Sequence, residues 1–425
     1  MLIYKDMERF LAYLLMAFIS VSLTSGTALS LTLEEAISLA KENLPSYRAS
    51  KIKIKSSEAL YSASLSPYLP SVDASAAYRK HYTSMNEHDS RTYNLTLSYT
   101  LFDGGRRKSD RNIAGLNLDT DKEELNKTLA DLQFNVKAAF YTAIAQRDIL
   151  HQREIQLQDA QKDYEVAEGR YRLGVARLSD VLHSSVRLQQ AKFNLVQAEG
   201  ELKTALAEIN SFIGRPLDTQ FDIQGSLDMN IQMLDRNKLL TAALQRPEIR
   251  QAENLIKITE NNRSLVMSAF YPVLSLEASY SKREGGNIRT FSPEEKAIGI
   301  TATWNIFELG KFFRKRSAEF EIDVSQERLG ELKRQISLEV YKAYEDFITA
   351  ANKLDVARQQ LRQAEHSYEQ AFGEYRVGRA DILSLVQAGS RLSDAREQLI
   401  ASKLNLILSR VMIERVAGIE NLEDL

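Results

Sequence analysis

"YRLGVARLSDVL" (Tyr171–Leu182) and "YRVGRADILSLV" (Tyr375–Val386) are two versions of one phrase, 204 residues apart. The likeness extends on both sides. Laying Tyr164–Gly214 on Tyr368–Gly418 needs no gap and gives 15 identities in 51 positions, among them Gly169/Gly373, Gly174/Gly378, Arg187/Arg391 and Gly214/Gly418. Earlier segments pair in the same order: "LPSYR" (Leu44–Arg48) with "RPEIR" (Arg246–Arg250), Tyr68-Leu69-Pro70 with Phe270-Tyr271-Pro272, and "LFDGGR" (Leu101–Arg106) with "IFELGK" (Ile306–Lys311). The chain is thus an internal duplication. Residues 31–214 form the first repeat and 238–418 the second, with a connector at 215–237 and a short tail at 419–425.

Each repeat changes hydrophobic period in the same sequence. A helical pattern comes first, Leu33–Leu65 and then Lys238–Ser268. Strict alternation follows, the mark of a strand with one apolar face. Val72, Ala74, Ala76 and Tyr78 oppose Ser71, Asp73, Ser75 and Arg79; Tyr93, Leu95, Leu97, Tyr99 and Leu101 oppose Asn94, Thr96, Ser98 and Thr100. The second repeat does the same with Leu274, Leu276, Ala278 and Tyr280, then with Ile298, Ile300, Ala302, Trp304 and Ile306. The spacing predicts four strands, about 70–82, 92–102, 272–283 and 296–307.

Strands of about ten residues suit a tilted crossing of a bilayer. Tyr78, Tyr99, Phe102, Tyr280, Trp304 and Phe307 gather near strand ends, where aromatic rings favour headgroup level and make a membrane girdle. Two half-buried hairpins of a soluble sheet are the alternative. A bilayer permits no open sheet edge, and about eight strands are needed before a barrel can close around side chains. Four membrane strands therefore require several copies of the chain, with the polar face turned to water.

Helical sequence then runs unbroken from about Lys108 to Arg172 and from about Lys311 to Arg376, rods of about 100 Å at 1.5 Å per residue. The return helices carry a three-four seam of alternating large and small residues. It runs Leu188, Ala191, Leu195, Ala198, Leu202, Ala205, Ile209 and Phe212 in the first repeat, and Leu392, Ala395, Leu399, Ser402, Leu406, Ser409, Ile413 and Val416 in the second. The opening phrase falls between rod and return helix, at about 173–180 and 377–384. Gly174 and Gly378 can take the left-handed conformation that ends a helix, and Ser179, Asp180 and Asp381 can cap or favour the next N-terminus. The phrase reads equally as a plain turn and as a surface for partners.

Composition narrows the function. There are 55 basic and 57 acidic residues for a net charge of −2, which gives no hint of a nucleic-acid partner. No cysteine occurs, so disulfides, thiolate metal sites and cysteine nucleophiles are excluded. The five histidines show no zinc-site spacing; no catalytic residue, cofactor or metal site is expected, and the chain does not read as an enzyme. Lys5 and Arg9 precede the apolar run Phe10–Val21 and the small, polar Ser22–Ser30, which reads as a signal peptide over residues 1–30.

The order of these parts, the "YxxG" tips and the Gly214/Gly418 endings resemble the outer-membrane efflux protein family, the TolC-like channels. The resemblance spans about residues 33–420. It implies an α+β membrane protein: a homotrimer with a shared twelve-stranded β-barrel in outer-membrane lipid and a periplasmic α-helical barrel of coiled-coil helices. It implies passive export of drugs or proteins, driven by an inner-membrane pump of RND or ABC type through a periplasmic adaptor. Adaptor hairpins are then expected to dock at Leu173, Gly174 and Val175 and at Val377, Gly378 and Arg379. Asp180 matches a first-tip aspartate that narrows the tunnel entrance, beside Ser179, and Tyr375 matches a tip tyrosine linked to that acid. The second tip departs from the family, with Ser384 and Gln387 in place of its aspartates. The competing reading is a secreted periplasmic or surface coiled-coil scaffold or adhesin without a pore.

Overall fold

A computed structural model describes residues 30–82, 87–230, 234–285, 294–420 and 422. The expected signal peptide lies outside these residues except for Ser30. The elements are β1 (Ser30–Leu31), α1 (Leu33–Asn43), α2 (Pro45–Ala63), β2 (Ser71–Tyr82), β3 (Glu87–Phe102), α3 (Arg106–Arg172) and α4 (Leu178–Ile213), then β4 (Asp222–Ile223), α5 (Arg236–Ala243), α6 (Pro247–Ser268), β5 (Val273–Gly285), β6 (Glu294–Thr303), α7 (Leu309–Arg376) and α8 (Ile382–Ala417). They fall into two compact units, and α3, α7 and α8 contribute residues to both.

The two leading helical runs are each broken once, at a repeat-equivalent proline. Leu44 and Arg246 precede Pro45 and Pro247 and take extended ψ values of 120° and 152°. The proline ring disfavours helical geometry in the residue before it, while proline itself suits the first helical turn. The run read as Leu33–Leu65 is therefore α1 and α2, and the run Lys238–Ser268 is α5 and α6.

One unit contains Pro45–Asp131, Leu234–Tyr344 and Glu414–Leu425. Its sheet is antiparallel in the order β2-β3-β5-β6. Register carries the alternation across all four strands: Val72 faces Leu97, which faces Ala278, which faces Ile298. One residue along, Ser71 faces Ser98, Glu277 and Gly299 in turn. Hydroxyls and amides bond along the polar face, with Ser71 and Ser98 Oγ atoms 2.9 Å apart and Ser281 Oγ donating to Asn94 Oδ1 at 2.8 Å. Two details differ from the sequence pattern. A bulge between Thr100 and Phe102 sets Phe102 opposite Leu274, so Phe102 rather than Leu101 continues the apolar face. The last strand ends at Thr303, leaving Trp304 and Phe307 beyond it; Trp304 Nε1 donates to the Phe270 carbonyl at 3.1 Å. Among the described residues β2 pairs only with β3 and β6 only with β5, so each has one unpaired edge.

Two cations 204 residues apart pin the strand-to-helix corners. The Arg107 guanidinium donates to the Thr100 and Pro67 carbonyls at 2.8 and 3.1 Å and pairs with Asp103 at 3.0 Å. Lys311 Nζ donates to the Ala269 and Asn305 carbonyls at 2.6 and 2.7 Å. Each satisfies backbone acceptors that the turning chain leaves without ladder partners. In the same unit, Arg246 is held by Glu248 at 2.8 Å and Glu339 at 2.9 Å, and Arg415 by Glu248 at 3.3 Å and Asp131 at 2.6 Å. Burial alone raises the Glu248 carboxyl, but the Arg246 hydrogen bond and the two guanidinium charges outweigh it and hold it at about 2.

The other unit contains Met1–Leu44, Leu132–Met233 and Glu345–Ile413. β1 and β4 pair in parallel, so the connector is not a plain linker. Buried Asn210 donates to the Thr219 and Leu217 carbonyls at 2.8 and 3.3 Å, and Arg147 donates to the Ile223 and Gly225 carbonyls at 2.7 and 3.1 Å. The expected seam is present: Leu188, Ala191, Ala198, Ala205 and Ile209 are buried on α4, and Leu392, Ala395, Leu406 and Ile413 on α8. α8 also buries a second line, Ile400, Ile407 and Val411, while α4 exposes Leu182, Val186, Phe193 and Val196. The two return helices are thus equivalent in sequence pattern and unequal in burial.

Glu248→Ala leaves two arginines without their shared carboxylate. Breaking a buried pair costs about 3–5 kcal/mol, so thermal unfolding in detergent at pH 7 is expected to show a clear drop in melting temperature. The carboxyl is depressed in the folded state, so its stabilisation is present above the ordinary carboxylate range and is lost as pH falls towards 2. A variant that melts like the wild type at pH 7 contradicts this account.

Candidate functional site

Both repeats end their long outgoing helix in the same way. At the first tip Gly174 has φ 74°, its N–H donates to the Tyr171 carbonyl at 2.9 Å, and the Val175 N–H reaches back to Arg170 at 3.0 Å. At the second, Gly378 has φ 81°, its N–H donates to Tyr375 at 3.0 Å, and the Arg379 N–H reaches Glu374 at 2.8 Å. This is the Schellman ending, which needs a residue at ease with positive φ. The duplicated glycine is therefore a conformational requirement in both copies.

The tips re-enter helix differently. Asp381 caps α8: its Oδ1 accepts from the Ser384 N–H at 2.8 Å and from Ser384 Oγ at 2.7 Å, and these bonds hold its carboxyl below the ordinary range. Ser384, at one of the positions where the resemblance leads one to expect an acid, is occupied in this cap; Gln387 is exposed. At the first tip the N-cap residue is Arg177, with no side-chain cap. Asp180 lies in the first turn of α4, where the helix dipole favours a carboxylate, and Ser179 Oγ donates to it at 3.3 Å. Leu173, Val175 and Val377 are largely exposed, as is Arg379.

Tyr375 is buried, 1 % exposed, against Ala167, Ile382 and Leu385. Its hydroxyl has no hydrogen-bond partner among the described residues, so no Tyr375–Asp180 hydrogen bond forms inside one chain. Burial raises the phenol first, and the nearby Asp180 charge adds to it. What the structure places on Tyr375 is Arg170. That guanidinium stacks on the ring, 4.9 Å from its centre, and donates to the Tyr375 and Arg376 carbonyls at 2.5 and 3.1 Å. It also donates to the Val175 carbonyl at 3.4 Å, and so ties the end of the first tip to the end of α7.

Further from the turn lies a cluster that sequence reading did not single out. The Asp163 side chain on α3 is 1 % exposed and ion-paired with Arg187 of α4. Tyr368 of α7 donates its hydroxyl to Asp163 Oδ1 at 3.1 Å, and the Arg187 guanidinium also lies 5.9 Å from the Tyr368 ring centre. On α8, Gly389 leaves room for Arg187: a Cβ there would collide with the guanidinium. Asp159 pairs with Arg396 at 3.2 Å, and Arg153 pairs with Glu397. A signal was available in the sequence, because Asp163 falls between Ala160 and Ala167 at the three-four spacing of buried positions. Burial pushes the Asp163 carboxyl up to about 6, against the pull of Arg187 and the Tyr368 hydroxyl.

A carboxyl raised on folding contributes stability that is complete below its unfolded pKa and lost as pH rises through the folded value. Between pH 4 and 7 ionised Asp163 therefore costs about 2–3 kcal/mol, by the shift from an ordinary aspartate. Asp163→Asn removes this titration. Melting temperatures at pH 4.5 and 7.5 are expected to fall further in the wild type than in the variant; parallel profiles contradict the raised carboxyl.

Comparison with known proteins matches this architecture. A family model described as "Outer membrane efflux protein" matches residues 36–215 and again 239–418, once for each repeat. CyaE of Bordetella pertussis is 25% identical over 398 residues, covering 91% of this chain and 84% of that protein. The outer membrane protein TolC of Salmonella enteritidis is 21% identical over 385 residues, covering 85% and 76%. The solved structure of CusC superposes with a TM-score of 0.81 at 17% identity, covering 94% of this chain and 96% of that one.

Proposed function

The chain belongs to the outer membrane efflux protein family, and on that premise we propose that it is the outer-membrane exit duct of a tripartite efflux or type I secretion system. The observation that carries the reading is the four-stranded sheet, apolar on one face, polar on the other, and, among the described residues, unpaired along one edge of β2 and of β6. Three copies joined edge to edge make the twelve-stranded barrel of TolC-like channels, its apolar face to lipid and its polar face to water. Tyr78, Tyr99, Phe102, Tyr280, Trp304 and Phe307 supply the aromatic girdle.

The helices form the periplasmic tunnel, and the tips are its entrance. Exposed Leu173, Val175, Val377 and Arg379, around Gly174 and Gly378, take the hairpins of a periplasmic adaptor, which couples the duct to an inner-membrane pump of RND or ABC type. The work of export is done by the pump; the duct is passive and opens when partner contacts favour the open tip. Three copies of Asp180 line the entrance and favour cations, while Ser384 and Gln387 leave the second tip without a matching acid ring. Tyr375 and Ser179 flank Asp180 there. The cargo is drugs or other small molecules in an efflux system and protein in a secretion system.

Planar-bilayer conductance of the detergent-purified protein tests this reading. Small steps with a reversal potential that favours cations are expected, and Asp180→Asn is expected to weaken that preference without enlarging the barrel. Unchanged selectivity in Asp180→Asn removes Asp180 from the narrow part. Protein that stays helical without detergent and never conducts contradicts the duct.

A further inference from the structure

In the half of α3 nearer the tip, Arg153, Asp159, Asp163 and Arg170 reach across to the second hairpin. In the second repeat, 204 residues on, the matching positions of α7 hold Ala357, Gln363, Ser367 and Glu374. The duplication keeps the other two members of the buried cluster: Arg187 recurs as Arg391, and Tyr368 answers to Tyr164. The carboxylate is missing, and so is the glycine, since Ser185 stands at the position that matches Gly389. Arg391 is accordingly exposed, whereas Arg187 is mostly buried between Asp163, the Tyr368 ring and Gly389.

We infer that Asp163, Arg187 and Tyr368, with Gly389 as the space that admits Arg187, form a one-sided latch that holds the two hairpins of a protomer together above the tip. The inference rests on the channel reading, in which the tips are the closed end of a duct. Each of the four helices α3, α4, α7 and α8 contributes one position. Spreading the hairpins strips a buried carboxylate of its guanidinium and its phenol together, and exposes the apolar contacts of Tyr375. Hydrogen bonds to a buried charge are the strong ones, and an unmatched buried partner is costly. The joint at the matching second-repeat position has Ser367 where this acid would be, so it carries no such latch. A tube of three copies then alternates latched joints with unlatched ones. The latch also takes over what the Tyr375 hydroxyl does not do inside the chain, since that hydroxyl has no partner among the described residues. These are positioning residues: they touch no cargo and set the resting width of the entrance.

Single-channel recording of purified trimers compares the wild type with Asp163→Ala and Tyr368→Phe, and with the second-repeat controls Ser367→Ala and Tyr164→Phe. Tyr368→Phe keeps the ring and removes one hydroxyl, so a loss of packing does not mimic it. Losing a hydrogen bond to a buried charge is expected to raise open probability about tenfold, and the controls are expected to record as wild type. Retention of the trimer on unheated gels shows that each variant is assembled. Wild-type gating in assembled Asp163→Ala and Tyr368→Phe overturns the latch, as does an equal effect in the controls. If the wild type itself never conducts, the channel reading fails instead.

Discussion

An unpaired sheet edge is tolerable in water and untenable in a bilayer, where N–H and C=O groups find no other partner. Among the described residues the sheet has two such edges, on β2 and β6, and its apolar face already suits lipid. Much of the remaining architecture answers to that constraint. Closure needs further copies, related by rotation so that β6 of one meets β2 of the next. The corner cations Arg107 and Lys311 matter here because they fix how each strand pair hands over to its helices, twice per chain and by the same means.

Duplication supplies near-symmetry, and the functional features lie where symmetry fails. Both tips use the same left-handed glycine ending, but only the first carries an acid in the opening turn of its return helix, and only the second is capped by a side chain. Both return helices carry the same seam, but α8 is enclosed on a second side and α4 is left with exposed Leu182, Val186, Phe193 and Val196. Both repeats keep the arginine and tyrosine of the buried cluster, but only the first keeps the aspartate. Once fused, two copies of a hairpin no longer face equivalent neighbours, and each position can specialise.

The fold was largely legible because its signals are periodic. Period-two alternation located four strands within a few residues, and the three-four seam located the return helices and their inner faces. What was missed depends on contacts between distant segments or on single residues. The bulge at Leu101 moves Phe102 onto the apolar face and leaves no mark in the alternation. Pro45 and Pro247 were visible, yet the helical period continued through them and hid the breaks. Asp163 was passed over because a charged residue in a charge-rich helix looks like solvated surface. Only the meeting of α3, α4 and α7 shows that it is buried. Tyr375 lies packed under Arg170 within the chain, with no hydroxyl bond to Asp180 among the described residues.

Native mass spectrometry of the detergent-solubilised protein tests the dependence on edge closure most directly. The account predicts three chains in one particle, with monomer absent until the strands unfold. A stable, fully helical monomer that needs no detergent would mean that the edges of β2 and β6 are satisfied by water, and would contradict the barrel and all that is built on it.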